Sequence, residues 1–313
     1  MRGASMGEIS VGGAISEGFS LIRRAPVTVL VWGAVQAGLA VLVFAVLSPV
    51  YIAVAEAVRA GAAGGAGAQA LATNPALAQV QGLSYLLDLV ELGVGVVLYC
   101  AAFRAVLHPE RAQFAYLRIG MSELYLGALW VGAYIALFVG LLAVVVGVAI
   151  VVGIFAVLHL VAVAVGIAVL ATLILIAGLL YVALRFSLVG PMIVDDGKFH
   201  FEEAWALTRG HVLRLFLILL VLGLAAMAGG LVLSILFVAI GVGGLAAVAG
   251  GFGNLQGFFQ QPIGAIIARL SPVLVLGVLI WIPYVGCMNA IIMAPWARAY
   301  RDLKPVDVAA AFA

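Results

Sequence analysis

Six long apolar segments, separated by short polar stretches, dominate the hydrophobic pattern of this 313-residue chain. A helix of about 20 residues, rising 1.5 Å per residue, crosses the hydrocarbon core of a bilayer, and each apolar segment is at least that long. We therefore predict six transmembrane helices, with approximate bounds 27–54, 80–106, 124–152, 163–190, 212–242 and 272–295. The turn between the third and fourth spans carries no strong Pro or Asn marker, and we place it near His159.

Shorter amphipathic segments precede the outgoing spans. Apolar residues recur every three or four positions from Val11 to Ile22, which is the spacing of one helical face. This segment is too short and too polar to span a bilayer, so it is predicted to lie in the membrane interface. Comparable surface helices are predicted over residues 112–122 and around Trp205.

Each of the three surface segments sets an aromatic residue four positions before an arginine. The pairs are Phe19 and Arg23, Phe114 and Arg118, and Trp205 and Arg209, with the aromatic residues 95 and 91 positions apart. Positions i and i+4 share a helical face, so the ring could lie at headgroup depth while the guanidinium reaches a lipid phosphate. The pattern suggests three repeats, over residues 7–108, 109–194 and 195–305. The alternative is that arginines and aromatic residues gather at every cytoplasmic membrane boundary.

Composition supports a membrane class. Hydrophobic residues are 66% of the chain and charged residues 9%, whereas a soluble domain has about 25% charged residues. Lipid must therefore be the solvent over most of the surface, and the long unbroken apolar runs exclude the alternating segments of an outer-membrane barrel. We predict an all-α polytopic membrane helix bundle, forming a single membrane domain over residues 1–313.

The basic residues are strongly asymmetric about these spans. Thirteen of the fifteen Lys and Arg residues fall on the side that holds both termini, and only Arg59 and Arg269 fall on the other. Cytoplasmic loops carry the excess of Lys and Arg. The chain is therefore expected to be a multi-pass protein of the bacterial cytoplasmic (inner) membrane with both termini in the cytoplasm.

Two carboxylates fall within the second predicted span. Asp88 and Glu91 are three positions apart, and hence on one helical face. Carboxylates inside a membrane are costly and often belong to proton relays or ion sites. Alternatively, the span begins near Tyr85 and both side chains lie in the outer interface.

Arg185 lies six residues before Pro191, near the cytoplasmic end of the fourth span. An arginine in this position commonly extends its guanidinium to the membrane surface as an anchor. Glu123, at the start of the third span, is a candidate partner. No zinc or EF-hand spacing, P-loop or nucleophile motif is present, so we expect no catalytic residue, metal or cofactor.

The segments RFSLVGP (Arg185–Pro191), DDG (Asp195–Gly197) and EAWALTRG (Glu203–Gly210) resemble a pattern found in bacterial six-span proteins. That group includes the membrane domain of glycerophosphoryl diester phosphodiesterases. In the family, the phosphodiesterase chemistry belongs to a separate soluble barrel. No soluble segment here exceeds about 25 residues, so the resemblance implies a membrane domain without the enzyme and carries over no catalytic residue.

These observations lead to two hypotheses about function. The first is a non-enzymatic integral membrane protein that organises lipid or docks partners at the cytoplasmic face. The second is a transporter or channel for a small or lipidic solute that uses Asp88 and Glu91. Membrane lipids are the expected partners, a protein partner or a second copy of the chain is an alternative, and nucleic acid is not expected.

Overall fold

The computed structural model describes residues 8–64, 75–158 and 160–304. Within these residues the chain is all-α, which confirms the predicted fold class. The helices are α1 (Val11–Arg24), α2 (Pro26–Gly64), α3 (Pro75–Leu107), α4 (Met121–Val157), α5 (Val161–Phe186), α6 (Val189–Asp196), α7 (Phe201–Leu207), α8 (Val212–Ala249), α9 (Leu255–Phe259) and α10 (Ile263–Leu303).

Six helical stretches in the described residues are long and apolar enough to cross a membrane, as predicted. Five of them contain α2, α3, α4, α8 and α10, and the remaining one contains α5 together with α6. The chain is thus a multi-pass integral membrane protein. In the most apolar window of α4 no residue is buried against the protein, so lipid is the solvent for this helix.

Most of these helices extend beyond their predicted spans. The 37 residues of α4 and the 41 of α10 reach about 55 and 60 Å, against a hydrocarbon core of about 30 Å. They must therefore tilt or project into the flanking polar layers. Residues 263–270, which precede the predicted sixth span, form the first turns of α10. α4 ends at Val157 and α5 begins at Val161, on either side of the predicted turn near His159, which itself lies outside the described residues.

The predicted surface helix over residues 112–122 is wrong. Two short 3-10 turns, Pro109–Arg111 and Gln113–Tyr116, occupy this stretch, and α4 begins at Met121. Phe114, Ala115 and Tyr116 have φ angles of 50°, 55° and 61°, in the left-handed region. A left-handed segment cannot continue a right-handed helix, so Phe114 and Arg118 do not share a helical face.

The chain forms two compact units. The first comprises Met1–Gly18, Tyr99–Val221 and Met293–Ala313, and the second comprises Phe19–Leu98 and Leu222–Ile292. The core of the first unit contains Leu126, Leu188 and Ile193, none of which is more than 1% exposed. This unit also contains most of the ion pairs described below.

In the second unit, α2 and α10 pack so closely that their backbones are in contact. A Cβ atom added to Gly33 would overlap the carbonyl of Ile282, and one added to Gly286 would overlap the carbonyl of Val29. Small residues permit this kind of close helix packing in membranes. Nearby, the Asn289 Nδ2 donates to Gln36 Oε1 at 2.8 Å, so the same two helices are joined by a polar contact.

Candidate functional site

Buried charges of the first unit are joined in specific pairs. Arg104, at the end of α3, forms an ion pair with Glu123 in the first turn of α4, and their side chains are 12% and 6% exposed. Arg104 also donates to Ser122 Oγ at 2.8 Å and to the Tyr116 carbonyl at 3.2 Å. Glu123 Oε2 accepts from the Gly120 backbone N–H at 2.9 Å, which caps the start of α4. Both charges are therefore compensated.

Asp195, the penultimate residue of α6, contacts three polar side chains. Its carboxylate accepts from the Tyr300 hydroxyl at 2.9 Å and from Lys304 Nζ at 2.5 Å, and it lies 3.4 Å from His108 Nε2. These partners come from the ends of α3 and α10. The cluster consequently fixes three helix ends around one carboxylate.

A third cluster surrounds Glu17 on α1, whose side chain is 8% exposed. Arg298 and Arg301 of α10 approach its carboxylate to 3.5 and 3.7 Å. Arg298 also pairs with Asp302 at 2.9 Å, and Arg301 donates to the Val106 carbonyl at 3.4 Å. Here too the basic side chains are matched by carboxylates.

Arg185 is the exception among the buried charges. It is 4% exposed, yet its side chain takes part in none of the ion pairs formed by the described residues, and its Nε has no hydrogen-bond partner among them. Its guanidinium lies 4.1 Å from the centre of the Trp205 ring and 5.9 Å from that of Tyr181. Aromatic faces attract the cation without neutralising it.

A cavity of about 410 Å³ opens beside this guanidinium. It is lined by Arg185, Glu202, Trp205, Ala206 and Arg209. The volume lies within the range of about 300–1,000 Å³ that is usual for small-molecule sites. Two arginines and an indole at one cavity form a site suited to an anionic group attached to an apolar body. We call these five residues the arginine pocket.

The local sequence explains how the arginine pocket is built. Gly197 (φ 73°) ends α6, and Gly210 (φ 85°) lies in the turn after α7. Thr208, in the same turn, is fully buried. Its hydroxyl lies 2.8 Å from the Ala204 carbonyl and 3.2 Å from the Arg185 carbonyl, so it ties the turn after α7 to the end of α5.

The structure separates two residues that the sequence suggested as a pair. Glu123 binds Arg104 and not Arg185. Arg104 was not among the candidate site residues predicted from the sequence. It lies near a helix end, where an arginine is usually interpreted as a surface anchor. The short spacing from Arg104 to the acidic first turn of α4 was the available signal.

The three aromatic–arginine pairs differ in local structure. Phe19 and Arg23 lie on α1 and are both exposed, in agreement with their predicted helical face. Phe114 is 85% exposed in the left-handed turn, and Arg118 is exposed beyond it. Trp205 lies on α7, and Arg209 lies in the turn that follows. The threefold repeat stays a prediction.

Asp88 and Glu91 both lie on α3, within the stretch able to cross a membrane, and both side chains are exposed. The hypothesis of a transport path drew on their being enclosed within the protein. Their exposure gives that hypothesis no support, and it stays a prediction.

No family model, curated protein or solved structure matches the chain.

Proposed function

We propose that this integral membrane protein is non-enzymatic and organises lipid by holding phospholipid headgroups in the arginine pocket. The observation that carries the proposal is the buried guanidinium of Arg185, which has no carboxylate partner among the described residues. In the same unit, the partly buried Arg104 has the carboxylate partner that Arg185 lacks.

The energetic comparison favours an external anion. A buried charge left without its partner destabilises a protein by about 3–5 kcal/mol. The contact of Arg185 with Trp205 contributes about 2 kcal/mol, which is less than this cost. The remaining cost would be offset by an anion that enters the cavity from outside the chain.

A phosphodiester fits the arginine pocket in geometry and charge. The planar guanidinium of Arg185 can donate two parallel hydrogen bonds to phosphate oxygens, and Arg209 supplies a second cation at the same cavity. Glu202 lines the cavity as well, and its carboxylate disfavours a second negative charge on the ligand. A singly charged phosphodiester therefore suits this site better than a dianionic phosphate.

Membrane position supports a lipid as the source of that phosphodiester. Arg185 is the penultimate residue of α5, which belongs to a stretch able to cross the bilayer, and tryptophan, such as the partly exposed Trp205, is enriched at headgroup depth. The positive-inside bias of the sequence supports a position of this end of the protein at the cytoplasmic face of a bacterial inner membrane. The sequence of the same stretch motivates our assignment to the family that includes the membrane domain of glycerophosphoryl diester phosphodiesterases.

Replacing Arg185 tests the proposal. We expect Arg185→Gln to weaken binding of phosphatidylglycerol at least about tenfold, because a hydrogen bond to a charged group contributes about 1.5–3 kcal/mol. Native mass spectrometry of the purified protein, titrated with this lipid, measures the dissociation constant. A phosphate-free diacylglycerol glycolipid should bind the wild type and the variant equally weakly.

Arg111→Gln is the matched control. Arg111 is 66% exposed and pairs with Glu110 at 3.6 Å, so its loss removes one positive charge outside the arginine pocket. Phosphatidylglycerol binding should be unchanged in this variant. Equal affinities of the wild type and Arg185→Gln for phosphatidylglycerol would overturn the proposal.

A further inference from the structure

An apolar groove of about 240 Å³ lies in the same compact unit as the arginine pocket. It is lined from α3 by Phe103, from α4 by Leu129 and Trp130, from the α5–α6 stretch by Phe186 and Gly190, and from α10 by Trp296. Every one of these positions belongs to a helical stretch able to cross the membrane. The groove therefore lies between helices that can cross the bilayer.

One aromatic side chain links the groove to the arginine pocket. Phe186 lines the groove, and its ring centre is 5.4 Å from that of Trp205. The Trp205 ring also lies against the guanidinium of Arg185, 4.1 Å from the indole centre. The rings of Trp205 and Phe186 therefore connect the guanidinium of Arg185 to the apolar groove.

The lining of the groove favours an apolar occupant. Its lining is aromatic and aliphatic, and the hydroxyl of Ser187 already donates to the Leu184 carbonyl at 2.8 Å. The volume is below the range of about 300–1,000 Å³ typical of drug-sized ligands, and so suits a narrow chain better than a headgroup.

Gly190 keeps the groove open. A Cβ atom at this position would lie 3.2 Å from Cε2 of Phe103 and 3.4 Å from Cδ1 of Leu126. Any side chain here would begin to fill the space beside those residues. The α6 backbone consequently forms part of the groove wall.

We propose that this groove holds one acyl chain of the phospholipid whose phosphate binds in the arginine pocket, an inference that rests on the proposed function. The ligand is then a long-chain glycerophospholipid bound at two points, with its phosphate at Arg185 and a chain against Phe186 and Trp130. Affinity should depend on both the phosphate and the chain length.

Leu129→Trp tests the groove separately from the headgroup site. The larger side chain fills the groove, so the gain in affinity from dihexanoyl to dioleoyl phosphatidylglycerol should fall at least about tenfold. Dihexanoyl phosphatidylglycerol should bind the variant as it binds the wild type. Native mass spectrometry with both lipids gives the four dissociation constants.

Leu142→Trp is the matched control, since Leu142 lies on the same helix and is 52% exposed. It should retain the full chain-length gain. Leu129→Phe, with thermal unfolding of both Leu129 variants, separates filling of the groove from misfolding and should give a smaller loss of the same sign.

The two proposals fail in different arms of this experiment. A full chain-length gain in a folded Leu129→Trp overturns the acyl-chain groove and leaves the headgroup site standing. Unchanged binding of both lipids by Arg185→Gln overturns the headgroup site, and the two-point ligand with it.

Discussion

Arg104 and Arg185 show how the environment of a buried arginine depends on its partner. Both are nearly enclosed in the first unit, but Arg104 contacts a carboxylate and Arg185 contacts two aromatic rings. The sequence predicted that Arg185 lies near a membrane boundary, and this stays a prediction. It also predicted Arg185 as the partner of Glu123, which is wrong, because the pairing depends on how α3, α4 and α5 pack.

Removing the charge of Glu123 should strongly destabilise the protein. In Glu123→Gln the buried Arg104 loses its compensating charge, and α4 loses the carboxylate that accepts from Gly120. We expect the free energy of unfolding in mild detergent to fall by about 3–5 kcal/mol, measured by denaturant titration.

Glu110→Gln provides the contrast for this experiment. Glu110 is 63% exposed, and exposed pairs such as that with Arg111 contribute about 0–1 kcal/mol. Its replacement should leave the unfolding free energy almost unchanged. Equal losses in the two variants would mean that the Arg104–Glu123 pair does not stabilise the first unit.

At the scale of elements, the connection between α3 and α4 departs most from the sequence-based prediction. Its left-handed residues are Phe114, Ala115 and Tyr116, none of which is Gly or Asn, the usual signals for that conformation. Tertiary contacts hold the turn, since the Tyr116 hydroxyl donates to the Pro109 carbonyl at 3.0 Å and its own carbonyl accepts from Arg104. Local spacing alone therefore favoured a helix.

Glycine at Ala115 should stabilise this turn. The left-handed conformation costs an alanine about 1–2 kcal/mol, and glycine adopts it freely. We expect Ala115→Gly to raise the melting temperature in detergent, although the greater freedom of glycine in the unfolded chain reduces the gain.

Ala112→Gly should have the opposite sign. Ala112 lies three positions earlier with φ −69°, a right-handed value that alanine adopts without strain. Glycine there only adds freedom to the unfolded state, so the melting temperature should fall slightly. A lower melting temperature in both variants would show that the turn is not strained at Ala115.

At the scale of the whole molecule, the number and order of the spans could be predicted because a bilayer demands long apolar runs. The polar clusters could not, because their members are far apart in sequence, as Asp195 is from Tyr300. Apolar composition specifies the solvent of each helix, whereas the pairing of helix ends depends on packing. In the arginine pocket, Trp205 and Arg209 were predicted from the sequence as candidates for contact with lipid headgroups. Their proximity to Arg185 was not predicted, because it depends on packing.

The spans and the positive-inside rule predict an orientation of the protein in the membrane. Lys198 lies between the fourth and fifth spans and Asn254 between the fifth and sixth, so the two positions should face opposite sides of the membrane. In a background with Cys100 and Cys287 replaced by alanine, a membrane-impermeant maleimide should label Asn254→Cys in intact cells.

Lys198→Cys should react only after the membrane is opened. Reaction of this position in intact cells, with Asn254→Cys protected, would reverse the proposed orientation. It would place the arginine pocket on the outer face.

The most direct test of the central claim is a high-resolution structure of the protein in nanodiscs containing phosphatidylglycerol. The account predicts phosphate density at about 2.7–2.9 Å from the guanidinium nitrogens of Arg185, with chain density continuing into the groove beside Phe186 and Trp130. An arginine pocket free of phosphate density in that lipid, with Arg185 bound to a carboxylate of the protein, would contradict it.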